Sequence, residues 1–183
     1  MSADNYFIID QNGIYFLTFT VTDWVDIFTR KEYKYEIADS LNFCIKNKGL
    51  VIYAWCLMSN HLHLVCQAKD SFRISEIIRD FKKFTSKSIL KLIHEIPESR
   101  RDWLLYRFKF AGKYDNRIKK YKFWQETNHA VLLNTNEMID QRIKYIHENP
   151  VRALIVAYAH EYLFSSARDF AGEKGYVDLQ MEL

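Results

Sequence analysis

The hydrophobic positions in the first half of the chain follow two spacings, one typical of strands and one of helices. Residues 13–21 are rich in aromatic and β-branched side chains, which predicts a central strand. Residues 29–47 place apolar side chains three or four positions apart, as in an amphipathic helix that stops before Gly49. Residues 50–58 and 61–67 are apolar runs separated by a Ser-Asn break, which predicts a β-hairpin.

The second half of the chain returns to helical spacing on both sides of a basic stretch. Residues 71–94 carry an apolar stripe that predicts a long helix. Residues 98–122 lose this pattern, as a long loop or a short helix would. Residues 121–133 predict a strand or strand pair at the edge of the sheet. Two further helices are predicted on either side of Pro150, at residues 137–148 and 152–162.

The order of these elements is β-α-β-β-α, then the basic stretch, then β-α. It predicts an α+β fold with a ferredoxin-like antiparallel sheet and helices packed mainly on one face. With 183 residues, 49% of them hydrophobic, the chain is long enough to bury one core. We therefore expect a single domain over residues 1–183, with a basic insert at about residues 97–122.

Composition bears on the cellular compartment of the protein and on the state of its cysteines. No apolar run reaches the roughly 20 residues that a membrane-spanning helix requires, and residues 1–5 lack the features of a signal peptide. The cysteines Cys44, Cys56 and Cys66 show no Cys-x-x-Cys spacing, which argues against a disulfide framework or a zinc ribbon. We expect a cytoplasmic protein without membrane association and with buried thiols.

Positive charge is concentrated in the middle of the chain. Although the formal net charge is only +3, residues 73–122 contain 15 lysines and arginines against six acidic residues. Such a run is commonly a solvated face, but phosphate contacts combined with base stacking are what single-stranded nucleic acid requires. Six basic side chains in this stretch are candidate DNA contacts: Arg79, Lys82, Lys83, Lys87, Arg100 and Arg101.

Two histidines separated by one leucine lie in the second strand of the predicted hairpin. Because successive side chains of a strand point to opposite faces, His61 and His63 project to the same side. Two neighbouring imidazoles on a sheet can hold a divalent metal ion. Alternatively, the pair belongs to an ordinary solvated strand face. Cys56 could join the histidines on a metal, whereas Cys66 has the wrong strand parity.

The predicted helix at residues 137–148 carries two polar groups on one flank. A step of 100° per residue places Tyr145 and Asn149 one above the other, with Arg142 on the same flank and His147 facing away. Taken alone, Tyr145 could be a packing residue, and Asn149 before a proline could cap the next helix.

Three motifs, taken in order, resemble those of a known enzyme family. The strand motif His61-Leu62-His63 is followed by Tyr145-Ile146-His147-Glu148-Asn149-Pro150-Val151-Arg152-Ala153 and then by Phe164-Ser165-Ser166-Ala167-Arg168. This combination resembles the single-tyrosine transposases of the HUH superfamily, in particular the REP-associated tyrosine transposases. The likeness spans most of the chain. Many relatives have Ala-Gly where this chain has Ala153-Leu154, a departure that changes a turn and not the chemistry.

The resemblance implies metal-dependent cutting and rejoining of single-stranded, hairpin-bearing DNA. Tyr145 would be the nucleophile that forms a 5′-phosphotyrosine intermediate, and the metal ligands would be His61, His63 and Asn149. Mg²⁺ or Mn²⁺ would suit this ligand set. Arg152, within the second motif, joins the candidate DNA contacts. Relatives are monomers or homodimers with exchanged helices, so both states are open.

Two other functions fit the residues. A ferredoxin-like sheet with a basic helix could bind single-stranded DNA or RNA without cutting it. A metal-dependent hydrolase of another class would cut its substrate without a covalent adduct and without need of Tyr145.

Overall fold

The computed structural model of the protein describes residues 7–113 and 120–181. Four strands form one antiparallel sheet in the order β2-β3-β1-β4: β1 (Tyr15–Thr20), β2 (Leu50–Leu57), β3 (His61–Ala68) and β4 (Val131–Leu132). Helix α1 (Lys31–Asn47) connects β1 to β2, and α2 (Ile74–Glu95) follows β3. Because β3 lies between β1 and β2, this is a split β-α-β arrangement, and the predicted α+β fold is confirmed.

The register of β1 against β3 gives the sheet a purely apolar face. Leu17 lies opposite Leu64 and Phe19 lies opposite Leu62, and all four side chains are buried. Helix α2 packs on this face, where the Phe81 ring lies 5.9 Å from the Phe19 ring, and α1 packs beside α2. The main core therefore lies between this face and two helices, as predicted.

The opposite face of the same strands carries Phe16, Thr18, His61 and His63. Helix α4 (Asn136–Arg152) lies against it, with the Tyr145 ring 6.0 Å from the Phe16 ring. The histidines therefore face a helix that comes late in the sequence. Within the described parts of the chain, no helix is long and apolar enough to span a membrane.

The basic stretch contains a helix, so the second of the two predicted alternatives is confirmed. Helix α3 (Arg101–Gly112) buries Leu104 and Phe108, and the Phe108 ring lies 5.2 Å from the Phe123 ring. The remainder of the insert at residues 114–119 lies outside the described residues.

The chain after Pro150 does not form the helix predicted for residues 152–162, so that prediction is wrong. Helix α4 continues through Pro150 to Arg152, and the backbone then turns at Leu154, whose φ is 57°. Only Ala159–Glu161 form a single 3₁₀ turn. The left-handed backbone at Leu154 ends α4, and Tyr162 instead packs beside β2, where its hydroxyl donates to the Leu57 carbonyl at 2.7 Å.

Irregular segments cover both outer edges of the sheet. The predicted strand at residues 121–133 contributes only the two residues of β4 in regular pairing. The segment before β4 in sequence still runs alongside β1, where Thr18 N donates to the Asn128 carbonyl at 2.9 Å. Beside β2, Leu57 N donates to the Phe164 carbonyl at 2.9 Å. Later parts of the chain thus hydrogen-bond to the outer sides of β1 and β2.

Glu98, just before α3, links this helix to the start of α1. Its buried carboxylate accepts hydrogen bonds from Arg30 Nε at 2.8 Å, from the Tyr33 hydroxyl at 3.1 Å and from Arg100 N at 3.0 Å. Burial alone would raise the pKa of this carboxyl, but the donors outweigh it and hold the pKa below its ordinary value. The ionised form of Glu98 therefore stabilises the fold.

We predict that Glu98→Gln lowers the free energy of unfolding by about 2 kcal/mol near neutral pH, because charge-assisted hydrogen bonds are lost. The folded-state pKa of Glu98 is lowered, so its contribution is complete above the unfolded pKa and is lost as the pH falls through the folded pKa. The difference in the free energy of unfolding between the variant and the wild type should therefore become smaller at acidic pH. Urea titrations at several pH values measure this.

Glu95→Gln is the matched control, since Glu95 forms an exposed pair with Lys91 at 3.7 Å. Its loss should cost at most about 0.5 kcal/mol. Equal effects of the two substitutions would contradict the anchoring role of Glu98.

Candidate active site

The histidine pair lies on β3 and is held rigidly by pairing on both sides of that strand. His61 lies opposite Thr20 and His63 lies opposite Thr18 of β1, while β2 pairs with the other side of β3. The two imidazole ring centroids are 4.6 Å apart, with an angle of 72° between the ring planes. Both rings therefore border the same small space above the sheet.

Hydrogen bonds fix the orientation of both rings through the Nδ1 atoms. His61 Nδ1 donates to the Asn60 side-chain carbonyl at 2.6 Å, and His63 Nδ1 shares a hydrogen bond with the Thr18 hydroxyl at 2.9 Å. The buried Nε2 atom of His63 has no hydrogen-bond partner within the described residues. In histidines that bind a metal ion, one ring nitrogen is usually hydrogen-bonded to a neighbouring group and the other is left to bind the metal.

Burial keeps both imidazoles neutral. It lowers the pKa of His61 below its ordinary value, although Asp26 partly opposes the shift. It lowers the pKa of His63 to about 3, and the neighbouring His61 and Arg142 also disfavour a positive charge on His63. Because only neutral imidazole binds a metal ion, the pair is in the ligand form at neutral pH.

Helix α4 brings Tyr145 to this pair within one chain. The Tyr145 and His63 ring centroids are 5.5 Å apart in an edge-on arrangement. Phe16 supports both rings, since it stacks on His63 at 5.4 Å and meets Tyr145 edge-on. The Thr135 hydroxyl caps the start of α4 by accepting from Met138 N at 3.3 Å. The phenol and the imidazoles, 82 residues apart in sequence between His63 and Tyr145, are thus neighbours.

Asn149 lies one turn after Tyr145 on the same flank of α4. Its side-chain amide Nδ2 donates to the Tyr145 backbone carbonyl at 2.8 Å, so its Oδ1 is the atom that could bind a metal ion. This contact fixes the side chain beside the tyrosine. The ligand role of Asn149 stays a prediction.

Two arginines flank Tyr145 on α4. The Arg152 guanidinium lies 6.0 Å from the centroid of the Tyr145 ring, and the Arg142 guanidinium lies 4.9 Å from the centroid of the Phe16 ring. Sequence reasoning included Arg152 among the candidate DNA contacts and missed Arg142. The i, i+3 spacing of Arg142 to Tyr145 on one helical flank was the signal that could have identified it.

Lys82 turns away from solvent, unlike the other basic candidates on α2. Its ammonium donates to the Gln125 carbonyl and to the Asn128 side chain, both at 2.7 Å, and it lies over the Phe19 ring. Burial lowers the pKa of Lys82 to about 8. This geometry favours a role of Lys82 in holding residues 125–128 alongside β1, rather than in contacting a phosphate.

The other basic candidates fall into two groups. Arg100 donates to the Asp26 carbonyl, and Arg101 donates to the carbonyls of Ile93 and Ile96 at the end of α2, all at 2.8 Å. Both therefore support the fold around α3. The remaining candidates on α2, across the sheet from the histidines, have exposed side chains: Arg79, Lys83 and Lys87. Arg79 also pairs with Asp80 at 2.9 Å. The DNA contacts of all these residues stay predictions.

The cysteines add little to the ligand set. Cys66 lies opposite Tyr15 and so on the face away from His63, as its strand parity predicted. Cys56 lies opposite His63, but burial raises the pKa of its thiol to about 12, which disfavours the thiolate that metals bind. Among the described residues, no group of three or more His, Cys, Asp or Glu side chains could hold a metal ion. A third protein ligand would therefore be of another type, such as the amide of Asn149.

One protein-family model matches more than half of the chain. The model for IS200-like transposases matches residues 11–115. These residues include His61 and His63 and end before Tyr145. A search of curated proteins found no match.

Two solved structures are similar to this chain. The structure of a REP-associated tyrosine transposase bound to a REP hairpin is 16% identical, has a TM-score of 0.65, and covers 100% of this chain and 94% of that chain. A putative transposase from Deinococcus radiodurans is 14% identical, has a TM-score of 0.43, and covers 81% of this chain and 97% of that chain. The first of these likenesses shows a shared fold.

We predict that Thr18→Val lowers the affinity for Mn²⁺ about tenfold, because the Nδ1 hydrogen bond that orients His63 is lost. Titration of Mn²⁺ followed by electron paramagnetic resonance measures this. Thr20→Val is the matched control: its hydroxyl is buried on the same strand and has no hydrogen-bond partner within the described residues. An unchanged affinity in Thr18→Val would show that the hydroxyl does not position the ring.

Proposed function

We propose that this chain, which belongs to the IS200-like transposase family, cuts and rejoins single-stranded DNA through a covalent bond to Tyr145. The observation that supports this most is the 5.5 Å separation of the Tyr145 and His63 rings in one chain. A nucleophile and a pair of candidate metal ligands thus border one space. A second copy of the chain is not needed to bring these groups together, so we expect a monomer to suffice.

The residues around this space fit a divalent ion such as Mg²⁺ or Mn²⁺. His61 and His63 would hold it through their Nε2 atoms, and Asn149 would add its amide oxygen. When bound, such an ion neutralises charge on the non-bridging oxygens of a phosphodiester and favours the phenolate form of a nearby tyrosine. Phe16 keeps the Tyr145 ring against this site, and Arg152 lies where it can pair with a phosphate beside the phenol.

The proposed reaction exchanges one phosphoester bond for another. The Tyr145 oxygen attacks the phosphorus, the bond between phosphorus and the 3′ oxygen breaks, and the 3′ oxygen takes up a proton as the phenol loses one. The downstream strand remains attached to the protein through its 5′ phosphate. A DNA 3′-hydroxyl can then attack the phosphotyrosine and restore a phosphodiester, so that no hydrolysis is needed.

The substrate we propose is single-stranded DNA that carries a hairpin. The similar structure with a TM-score of 0.65 is that of a protein bound to a REP hairpin. The exposed cations Arg79, Lys83 and Lys87 belong to α2, which packs on the sheet face opposite to the histidines and Tyr145. We infer that they contact a part of the DNA away from the cleavage site, as the stem of a hairpin would be.

We predict that wild-type protein and Mn²⁺ or Mg²⁺ convert single-stranded DNA into a covalent adduct on a denaturing gel. Oligonucleotides with a hairpin and randomised flanks serve as the probe, and sequencing of the attached strands identifies the cleavage position. A 3′ label should remain with the protein, whereas a 5′ label should be released on a strand with a 3′-hydroxyl. EDTA, His61→Ala, His63→Ala and Tyr145→Phe should each abolish the adduct.

Tyr158→Phe is the control for loss of a phenolic hydroxyl, since Tyr158 is exposed beyond the end of α4. An adduct that persists in Tyr145→Phe would exclude Tyr145 as the nucleophile. Binding without cleavage under all metal conditions would favour a binding module. Cleavage without any adduct would favour a hydrolase.

We further predict that Arg152→Ala and Lys87→Ala differ in which step they impair. Arg152 lies beside the Tyr145 ring, so its loss should slow adduct formation even at saturating DNA. Lys87 should contribute only to binding, and its loss should reduce the slope of log affinity against log salt by about 1. Rates and affinities over a range of salt concentrations test this, and identical profiles for the two variants would count against the assignment.

A further inference from the structure

Trp24 exposes its indole directly beside His61. The side chain is 59% exposed, although tryptophan is among the most apolar of the large residues. Its ring meets the His61 ring edge-on, with centroids 6.3 Å apart. The exposed indole therefore lies beside the candidate metal site.

The backbone that presents Trp24 is strained. Asp23 and Trp24 have φ values of 55° and 54°, two consecutive left-handed conformations at residues other than glycine. Strained backbone of this kind persists only where its surroundings hold it, and it clusters at ligand-binding sites.

Three contacts hold this conformation in place. Trp24 N donates to the Val21 carbonyl at 3.0 Å, and the Asn60 side chain donates to the Trp24 carbonyl at 3.3 Å. Arg107 of α3 pairs with the Asp23 carboxylate at 2.8 Å. Because Asn60 also accepts from His61, one residue fixes both the indole platform and the imidazole.

The cleft next to Trp24 contains an aromatic ring, an amide and an ammonium group beside two carboxylates, one of which is paired with Arg107. This open cleft of about 400 Å³ begins at the neighbouring Asp23 and is lined by Thr22, Phe110, Ala111, Lys122, Gln125 and Glu126. The Thr22 hydroxyl is buried and has no hydrogen-bond partner within the described residues. Aromatic faces with amide, hydroxyl and ammonium groups nearby are what unstacked bases and phosphates bind.

We propose that Trp24 stacks on a base of the single-stranded DNA next to the cleaved phosphate and thereby sets which phosphate lies at the histidine pair. This inference rests on the proposed function, since it takes single-stranded DNA as the substrate. Every base has a π-face, so the indole fixes the position of the strand without selecting a base. Trp24 is thus a positioning residue for the strand.

Intrinsic fluorescence can test the stacking without any cleavage. Of the four tryptophans, Trp55 and Trp124 are buried at 0% and 6% exposure, whereas Trp24 and Trp103 are exposed at 59% and 50%. In Trp103→Phe, Trp24 is therefore the one exposed tryptophan. Oligo(dT) added in EDTA should quench its emission, and the quenching should be absent when Trp24 is also replaced by phenylalanine. The lack of quenching in Trp103→Phe, or of any oligo(dT) binding, would overturn the proposal.

Substitutions separate stacking from a structural effect. Trp24→Ala should weaken oligo(dT) binding between about 5-fold and 150-fold, the range that corresponds to loss of one stacked base. It should also spread cleavage of the hairpin oligonucleotides over several positions. Trp24→Phe should retain binding within a few-fold and keep a single cleavage position. Phe43→Ala, which removes an exposed ring from α1 on the other side of the sheet, should match wild type. Unchanged binding and cleavage in Trp24→Ala would refute the proposal.

The two proposals fail in different ways. Quenching in EDTA by a protein that forms no adduct would support base stacking on Trp24 and exclude strand transfer, and with it the role of Trp24 in placing the cleaved phosphate. If both wild type and Trp24→Ala form the adduct at one position and no quenching is seen, strand transfer would be supported and the role of Trp24 excluded.

Discussion

The antiparallel pairing of β1 with β3 is the constraint on which the site depends. It places Thr18 opposite His63, and it puts Phe16 on the same face. A shift by one residue would move every side chain of a strand to the other face, so this register is also what separates the apolar core face from the histidine face. Tyr145 then has a place to pack because Phe16 offers a ring beside His63. The positions of the two histidines therefore follow from strand register before any helix is considered.

The sequence predicted those parts of the site and of the fold that depend on the regular spacing of side chains along strands and helices. Strand parity placed His61 and His63 on one face and Cys66 on the other, and helical spacing placed Tyr145 and Asn149 on one flank. The order of elements predicted the sheet topology. What it did not predict depends on contacts between distant segments. Lys82 turns inward because the segment around Asn128 supplies acceptors. The helix expected after Pro150 is absent because the chain turns at Leu154 and Tyr162 then hydrogen-bonds to the Leu57 carbonyl of β2.

Two kinds of preorganisation meet at the histidine pair. Hydrogen bonds from Asn60 and Thr18 fix the imidazoles, and the ring of Phe16 holds His63 and Tyr145 at a set separation. Burial lowers the pKa of both imidazoles and so favours their neutral form. A metal cation can then bind the imidazole nitrogens without first displacing a proton.

The covered edges of the sheet have a consequence for how copies of this chain meet. An open edge strand offers unpaired amides and carbonyls to any extended peptide, and this is a common route to strand exchange and to fibrils. Here the residues around Asn128 and Phe164 already hydrogen-bond to the outer sides of β1 and β2. Self-association that continues the sheet from molecule to molecule would first require these segments to peel away. Any pairing of copies in solution is therefore expected to use side-chain surfaces.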